Sequence, residues 1–282
     1  MDHGSPSNRR RLWIFDDFLD SPVLALGSGG GSKTLTAAET PSSIFVAIPF
    51  ALQHGYKYFS LGHERSADTG QKSCEKTGED INHQWGKSLE AEVLISDYVK
   101  EHLVSNLRYF SILKPIYDVL IFNLLREDLD AVRDTHSCNE AKPWCKKCPK
   151  CAYVWLNYMA WLPEEVVDEI FEGTNLFDIE ENQETFMQLV GVTDQLPFEC
   201  IGQADESRLA FEMCHKKGLK GKAMDSYLEL NLNVNIEETL EEYLIIDTPA
   251  NHFPNEIFDF ILPQLENNLK ASQEYVERYA NE

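Results

Sequence analysis

Cys138, Cys145, Cys148 and Cys151, in the stretch SCNEAKPWCKKCPKC, have the spacing of ligands to a single tetrahedral metal ion. A two-residue gap lets one tight turn aim both sulfurs at the same ion. Two such gaps run in series here, Cys145-x2-Cys148-x2-Cys151, and Cys138 upstream completes a set of four. Four thiolates suit structural Zn²⁺, with an iron–sulfur cluster as the alternative. A disulfide framework fits less well: the sequence has seven cysteines, and its basic stretch Arg9–Arg11 is not followed by the apolar run of a secretory leader. A closed four-sulfur shell has no position for substrate, so the ion is expected to hold the fold rather than do chemistry. Trp144 is placed to shield the cluster from water.

Three other groups could carry chemistry. The glycine-rich run Ser28, Gly29, Gly30, Gly31, Ser32, Lys33 and Thr34 follows an apolar stretch at 22–26, as a phosphate-binding loop follows a strand. It matches a Walker A loop except that Ser32 stands where glycine is required, and an SGGxDS loop except that the aspartate is missing. A flexible Gly/Ser linker is the competing reading. Glu64, Arg65, His83 and Lys87 form a second polar constellation. Glu64 or His83 could move a proton, Arg65 could clamp a carboxylate or phosphate, and His83 and Lys87 would share a face of one helix. Capping and surface ion pairing are the bland reading of each. In the third group, Cys200 beside Glu199 could be a reactive thiol or simply a buried one, and 205–207 reads equally well as a helix start.

The elements that must position these groups follow from periodicity. A strand at 22–26 leads into the glycine loop, a helix over 44–54 stops at Gly55 with Pro49 bending it or shifting its start, and a strand follows at 56–61. That pairing belongs to an open α/β sheet, whose ligands gather outside the carboxyl ends of the strands, where 63–68 falls. Further helices are expected over 84–103, 115–126, 164–171, 184–190, 206–216 and 255–279, with an apolar segment at 152–162. The predicted organisation is a poorly ordered stretch over 1–20, a nucleotide-binding-like α/β domain with the metal site over 21–162, and a helical region over 163–282.

With 282 residues and 43% hydrophobic content, the chain can bury a sizeable core. Its formal net charge of −22 argues against a broad nucleic-acid-binding surface, because phosphate neutralisation takes clustered Lys and Arg. A local basic pocket drawn from Arg65, Lys87, Arg108 and Lys114 stays compatible with it, although scattered basic residues more often form a solvated face. No run of about 18 apolar residues occurs, so no membrane partner is expected and a cytoplasmic location is.

Several segments together resemble one family. Residues 44–68, NHQWGKSLE at 82–90, YFS at 109–111, SCN at 137–139, WCKKCPKC at 144–151 and PFECIG at 197–202 match the UDP-N-acetylmuramoyl-L-alanyl-L-glutamate epimerase family in order and spacing, from about residue 42 to residue 214. The wider resemblance is to adenine-nucleotide alpha-hydrolase enzymes, which include 7-cyano-7-deazaguanine synthase. The resemblance implies an enzyme that uses ATP with Mg²⁺ to adenylate the carboxylate of a small-molecule substrate, which acidifies the neighbouring Cα–H for removal and return. Residues 28–34 would then hold ATP phosphates, Glu64, Arg65, His83 and Lys87 would line the reaction site, and the four cysteines would bind Zn²⁺. In two respects the chain departs from the family: Lys33 stands where the loop carries aspartate, and only ten residues, 34–43, separate the loop from the matching helix. A helix and a strand cannot fit in that space. The expected fold is therefore a depleted Rossmann-like parallel sheet with zinc-stapled and C-terminal helical segments, in a shortened or divergent member. Another ATP-pyrophosphatase-type ligase or amidating enzyme, or an inactive zinc-binding interaction protein, are the alternatives.

Overall fold

The computed structural model describes residues 39–280, apart from 71, 74, 75, 83, 194, 195, 198, 233 and 249–251. The glycine-rich run 28–34, the strand expected before it, the stretch 1–20 and His83 lie outside the described residues. Helix α1 spans Glu39–His54 and begins earlier than expected, with Pro49 on its exposed side. Gly55 ends it in the left-handed region at φ 68°, where the N–H of Tyr56 reaches back to Ala51 O at 2.9 Å.

Strand β1 (Tyr58–Leu61) follows, then a 3₁₀ turn at Arg65–Asp68 and a short antiparallel pair, β2 (Lys72–Ser73) with β3 (Asp80–Ile81). After a second 3₁₀ turn at Trp85–Lys87 comes α2 (Leu89–Tyr98), prolonged by a π turn over Val99–Leu103. Strand β4 (Arg108–Ser111) returns parallel to β1, with Tyr58 opposite Arg108 and Leu61 opposite Ser111. A small core of Ile48, Ala51, Val99 and Leu107 joins α1, α2 and this sheet. Among the described residues the parallel sheet has these two strands and the rest is mostly helical, so the wider Rossmann-like sheet is not found there. Downstream of β4, apolar residues recur at helical rather than strand spacing, and the chain builds helices.

Those helices are α3 (Asp118–Leu124), α4 (Leu129–Asp134), α5 (Pro149–Trp161), α6 (Glu164–Phe171), α7 (Gln183–Leu189), α8 (Ala204–Lys216), α9 (Lys222–Glu229), α10 (Ile236–Tyr243) and α11 (Asn255–Ala280). Every residue of α5 from Cys151 to Trp161 is buried, as befits a helix that is the axis of a core. Around it runs one hydrophobic cluster from Ile116 to Val276, held by aromatic contacts such as Trp155–Phe177 at 4.7 Å and Phe211–Tyr227 at 4.5 Å. The boundary expected at 162 falls inside this cluster. Helices α9 and α10 were not anticipated, although Asn235 marks the second: its side chain accepts from Glu238 N at 3.2 Å.

Glu206 braces this core. Its Oε1 accepts from Gln203 N at 3.0 Å to complete a capping box at the start of α8, while Oε2 accepts from Val119 N at 3.3 Å, in the first turn of α3. One carboxyl group thus serves the N-termini of two helices. Gly202 is glycine because a Cβ there would lie 2.7 Å from Glu206 Oε1 and would also strike the Tyr153 hydroxyl. Burial, and next the charge of Asp118, push the Glu206 pKa up to about 8 from an ordinary 4.5. The folded protein therefore keeps a proton that the unfolded chain releases above pH 4.5. Glu206 contributes stability that is complete below that pH and is lost as pH rises through about 8. The melting temperature is expected to fall between pH 6.5 and 8 in the parent and to fall less steeply in Glu206→Gln. Equal slopes in the two proteins would refute the assignment.

Candidate functional site

Two sites lie side by side, one made of sulfur and the other of buried charge. In the first, the sulfurs of Cys138, Cys145, Cys148 and Cys151 all lie within 4.8 Å of one another. None of the four is in a disulfide. Zn–S bonds of about 2.3 Å make a tetrahedron with edges of about 3.8 Å, and the separations Cys138–Cys148 and Cys145–Cys151 are 3.9 and 3.7 Å. Backbone N–H groups of Ala141, Cys145, Lys147, Cys148 and Cys151 point at these sulfurs from 3.3 to 3.5 Å, an environment that favours thiolate over thiol. The donor set therefore fits a structural zinc ion. Cys148 also caps α5, and Pro149 takes its first position, so the central helix of the core starts on one of the four clustered cysteines. Trp144 is buried, with its ring 4.9 Å from that of Phe171.

The second site lies at the carboxyl ends of β1 and β4, where they meet the start of α2. Its centre is Lys114, whose side chain is wholly buried. The ammonium donates to Glu64 O at 2.8 Å, Lys87 O at 2.9 Å and Asp68 Oδ1 at 2.9 Å, which uses all three of its protons. Asp68 Oδ1 also accepts from Leu89 N at 2.8 Å. Ser111, at the end of β4, donates to His63 O at 2.7 Å. Burial pushes the pKa of His63 down to about 4, so the ring is neutral at physiological pH.

Helix α2 does not start at 84 as expected. Ser88 caps it by accepting from Ala91 N at 3.2 Å, which leaves Lys87 in the preceding 3₁₀ turn rather than on a helical face. Lys87 Nζ instead reaches Cys200 Sγ at 2.7 Å. Burial pulls the Lys87 pKa down, but the charges of Cys200 and Glu64 outweigh it and hold the value above that of an ordinary lysine. Glu64 also acts on Asp118, whose pKa is pushed up to about 6 by burial first and by that charge second. Arg65 turns the other way: its guanidinium pairs with Asp247 and lies 5.2 Å from the ring centre of Tyr117. Arg108 is exposed at the opposite, amino end of β4. The four basic residues proposed for one pocket are thus divided, and Lys114 is the reverse of a solvated surface charge.

The loop 199–202 joins the two sites. Asn139, next to Cys138, donates to Glu199 Oε2 at 2.6 Å, and Lys150 donates to Cys200 O. From the other side, Gln84 Nε2 donates to Ile201 O at 3.3 Å. Sequence reading missed Asp118, Lys150 and the central place of Lys114. Lys150 sits inside the cysteine motif and Asp118 opens a helix, but their partners Cys200 and Tyr153 lie 50 and 35 residues away.

Purified protein is expected to carry one zinc per chain by elemental analysis, to be colourless, and to lose both the metal and several degrees of melting temperature in Cys148→Ser. A brown protein containing iron would overturn the zinc assignment. Removing the buried ammonium in Lys114→Met should destabilise the fold by about 3 kcal/mol in chemical denaturation, since two carbonyls and a carboxylate lose their common partner. A loss under 1 kcal/mol would mean that Lys114 is not the tie described.

The family model described as the MurL N-terminal domain matches residues 40–112, and that described as the MurL C-terminal domain matches 132–233. Together they take in well over half of the chain. Three curated relatives bear the name UDP-N-acetyl-alpha-D-muramoyl-L-alanyl-L-glutamate epimerase. The protein from Micromonospora sp. is 32% identical over 200 residues, 68% of this chain and 44% of its own length. That from Xanthomonas oryzae pv. oryzae is 33% identical over 193 residues, 65% of this chain and 41% of its own. That from Salinispora tropica is 30% identical over 203 residues, 68% and 43%. The chain spans less than half the length of these relatives, and no solved structure matches it significantly. With both domain models matched in order, and with the segments around the parallel pair and the cysteine knuckle inside them, the chain belongs to the UDP-N-acetyl-alpha-D-muramoyl-L-alanyl-L-glutamate epimerase family.

Proposed function

We propose that the protein epimerises the terminal L-glutamate of a UDP-muramoyl dipeptide, or the equivalent centre of a related carboxylate substrate, by ATP-dependent adenylation of the carboxylate. The observation that carries this reading is the family membership together with a charged cluster, Glu64, Lys87, Cys200 and Asp118, at the carboxyl ends of a parallel strand pair. Bound ATP with Mg²⁺ would supply the adenylyl group that removes the carboxylate's charge and so makes the adjacent Cα–H acidic. Ser28 to Thr34 would hold its phosphates; they lie outside the described residues.

The chain's own groups would do the rest. Glu64 is the base that takes the α-proton, with His83 as the other proton-transfer candidate. Lys87 stabilises negative charge developing on the substrate oxygen. Asp118 titrates at about 6, between the two forms a proton carrier needs near neutral pH. Arg65 already holds a carboxylate, that of Asp247, and a substrate carboxylate would compete for the same guanidinium. The zinc stays structural, in a cytoplasmic enzyme.

The test is incubation of the zinc-loaded protein with ATP, Mg²⁺ and UDP-N-acetylmuramoyl-L-alanyl-L-glutamate in D₂O. AMP and α-deuterated D-glutamate product are expected to form together, and Glu64→Gln and Lys87→Met should each lose about 100-fold or more in rate. AMP formed only with an amine acceptor would assign the chain to the ligase class. A protein that carries zinc but binds no ATP in calorimetry would be a non-catalytic zinc-binding protein.

A further inference from the structure

We propose that Lys87 and Cys200 are a modification site, at which a peroxide joins the two side chains through a covalent nitrogen–sulfur bond. The inference goes beyond the epimerase reading and does not depend on it. It starts from a distance. Backbone nitrogens approach the cysteine sulfurs of the zinc knuckle at 3.3 to 3.5 Å, whereas Lys87 Nζ lies 2.7 Å from Cys200 Sγ. Both residues are also held in place. Lys87 O is bound by Lys114 and Lys87 N donates to Gln84 O at 2.7 Å, while Cys200 O is bound by Lys150 and its neighbour Ile201 by Gln84. Lys87 and Cys200 are both half-buried rather than sealed in the core. Cys214, by contrast, is fully buried with its sulfur 3.6 Å from Leu156 O.

The chemistry proceeds in two balanced steps. The Cys200 thiolate attacks one oxygen of the peroxide; the O–O bond breaks, hydroxide leaves, and the sulfur is oxidised by two electrons to a sulfenic acid. The Lys87 amine then attacks that sulfur, the S–O bond breaks, and the departing oxygen leaves as water with a proton from nitrogen. The product is a sulfenamide, and the protein has lost two hydrogens in all. The second step needs a neutral amine, and the surroundings provide for it. Burial is the largest influence on Lys87 and acts downward, while the charge on Cys200 acts upward. Conversion of that thiolate to an uncharged sulfenic acid removes the largest of the upward influences, leaving Glu64 and Asp118, and shifts the balance towards loss of the proton.

The experiment uses the full zinc-loaded chain, treated with hydrogen peroxide, digested without reductant and mapped by mass spectrometry. The expected product is a peptide pair joined through Lys87 and Cys200, lighter by two hydrogens than the sum of its parts and separated again by dithiothreitol. It should be missing from Cys200→Ser and from Lys87→Arg, with retained zinc content and melting temperature confirming that each variant is folded. Recovery of Cys200 as a linear sulfinic acid or a disulfide with no lysine link would overturn the proposal. A link to Lys150 in place of Lys87 would overturn it too.

Discussion

A single buried ammonium, that of Lys114, decides how the candidate site is assembled. Burying a charge without partners costs far more than a fold of this size can spare, so an ammonium out of water must find an acceptor for each proton. Lys114 finds two carbonyls and one carboxylate on two segments: Glu64 and Asp68 after β1, and Lys87 before α2. Two parallel strands cannot hold such loops by themselves, because their backbone hydrogen bonds end at Leu61 and Ile112. The ammonium continues the tie beyond the last rung of the ladder. The acidic and basic groups of the site therefore have fixed backbones even though their side chains face one another across loops.

The zinc knuckle performs the matching task on the far side. It anchors the start of α5, the helix around which the aromatic core is packed, and it also presents Asn139 and Lys150 to the loop that carries Cys200. The cysteine knuckle and the charged cluster are thus mechanically linked through four residues, 199–202. Gly202 completes the link by leaving room for the Tyr153 hydroxyl and the Glu206 carboxyl group, the latter shared between the N-termini of α3 and α8. Loss of order at Gly202 would be felt at Glu206, because that buried carboxyl group has no water to turn to.

Much of the fold was legible in the sequence where the signal was local. The helix at 164–171 agrees with its apolar spacing to the residue, and α7, α8 and α11 agree within two residues. Gly55 and Pro149 punctuate as their chemistry requires. Errors arose where a local signal competed with a distant one. The periodicity over 84–103 is helical, yet the Ser88 cap and the pull of Lys114 on Lys87 O hold the first residues in a 3₁₀ turn. The helical run past 163 read as an appendage, but its apolar faces are the walls around α5.

By itself, the sequence determined the family and singled out the four cysteines that the fold gathers into one cluster. Cys145, Cys148 and Cys151 lie two residues apart, and so short a turn leaves the sulfurs few places to go. It also held the residues of the charged cluster, but not their partners. Only the tertiary structure decided that Lys87 faces Cys200 rather than a helix neighbour, that Arg65 is occupied by Asp247, and that Lys114 is buried. Those pairings join residues 27 to 182 positions apart. Their partners are set by which helices pack together, and no periodicity in the chain encodes a contact of that range.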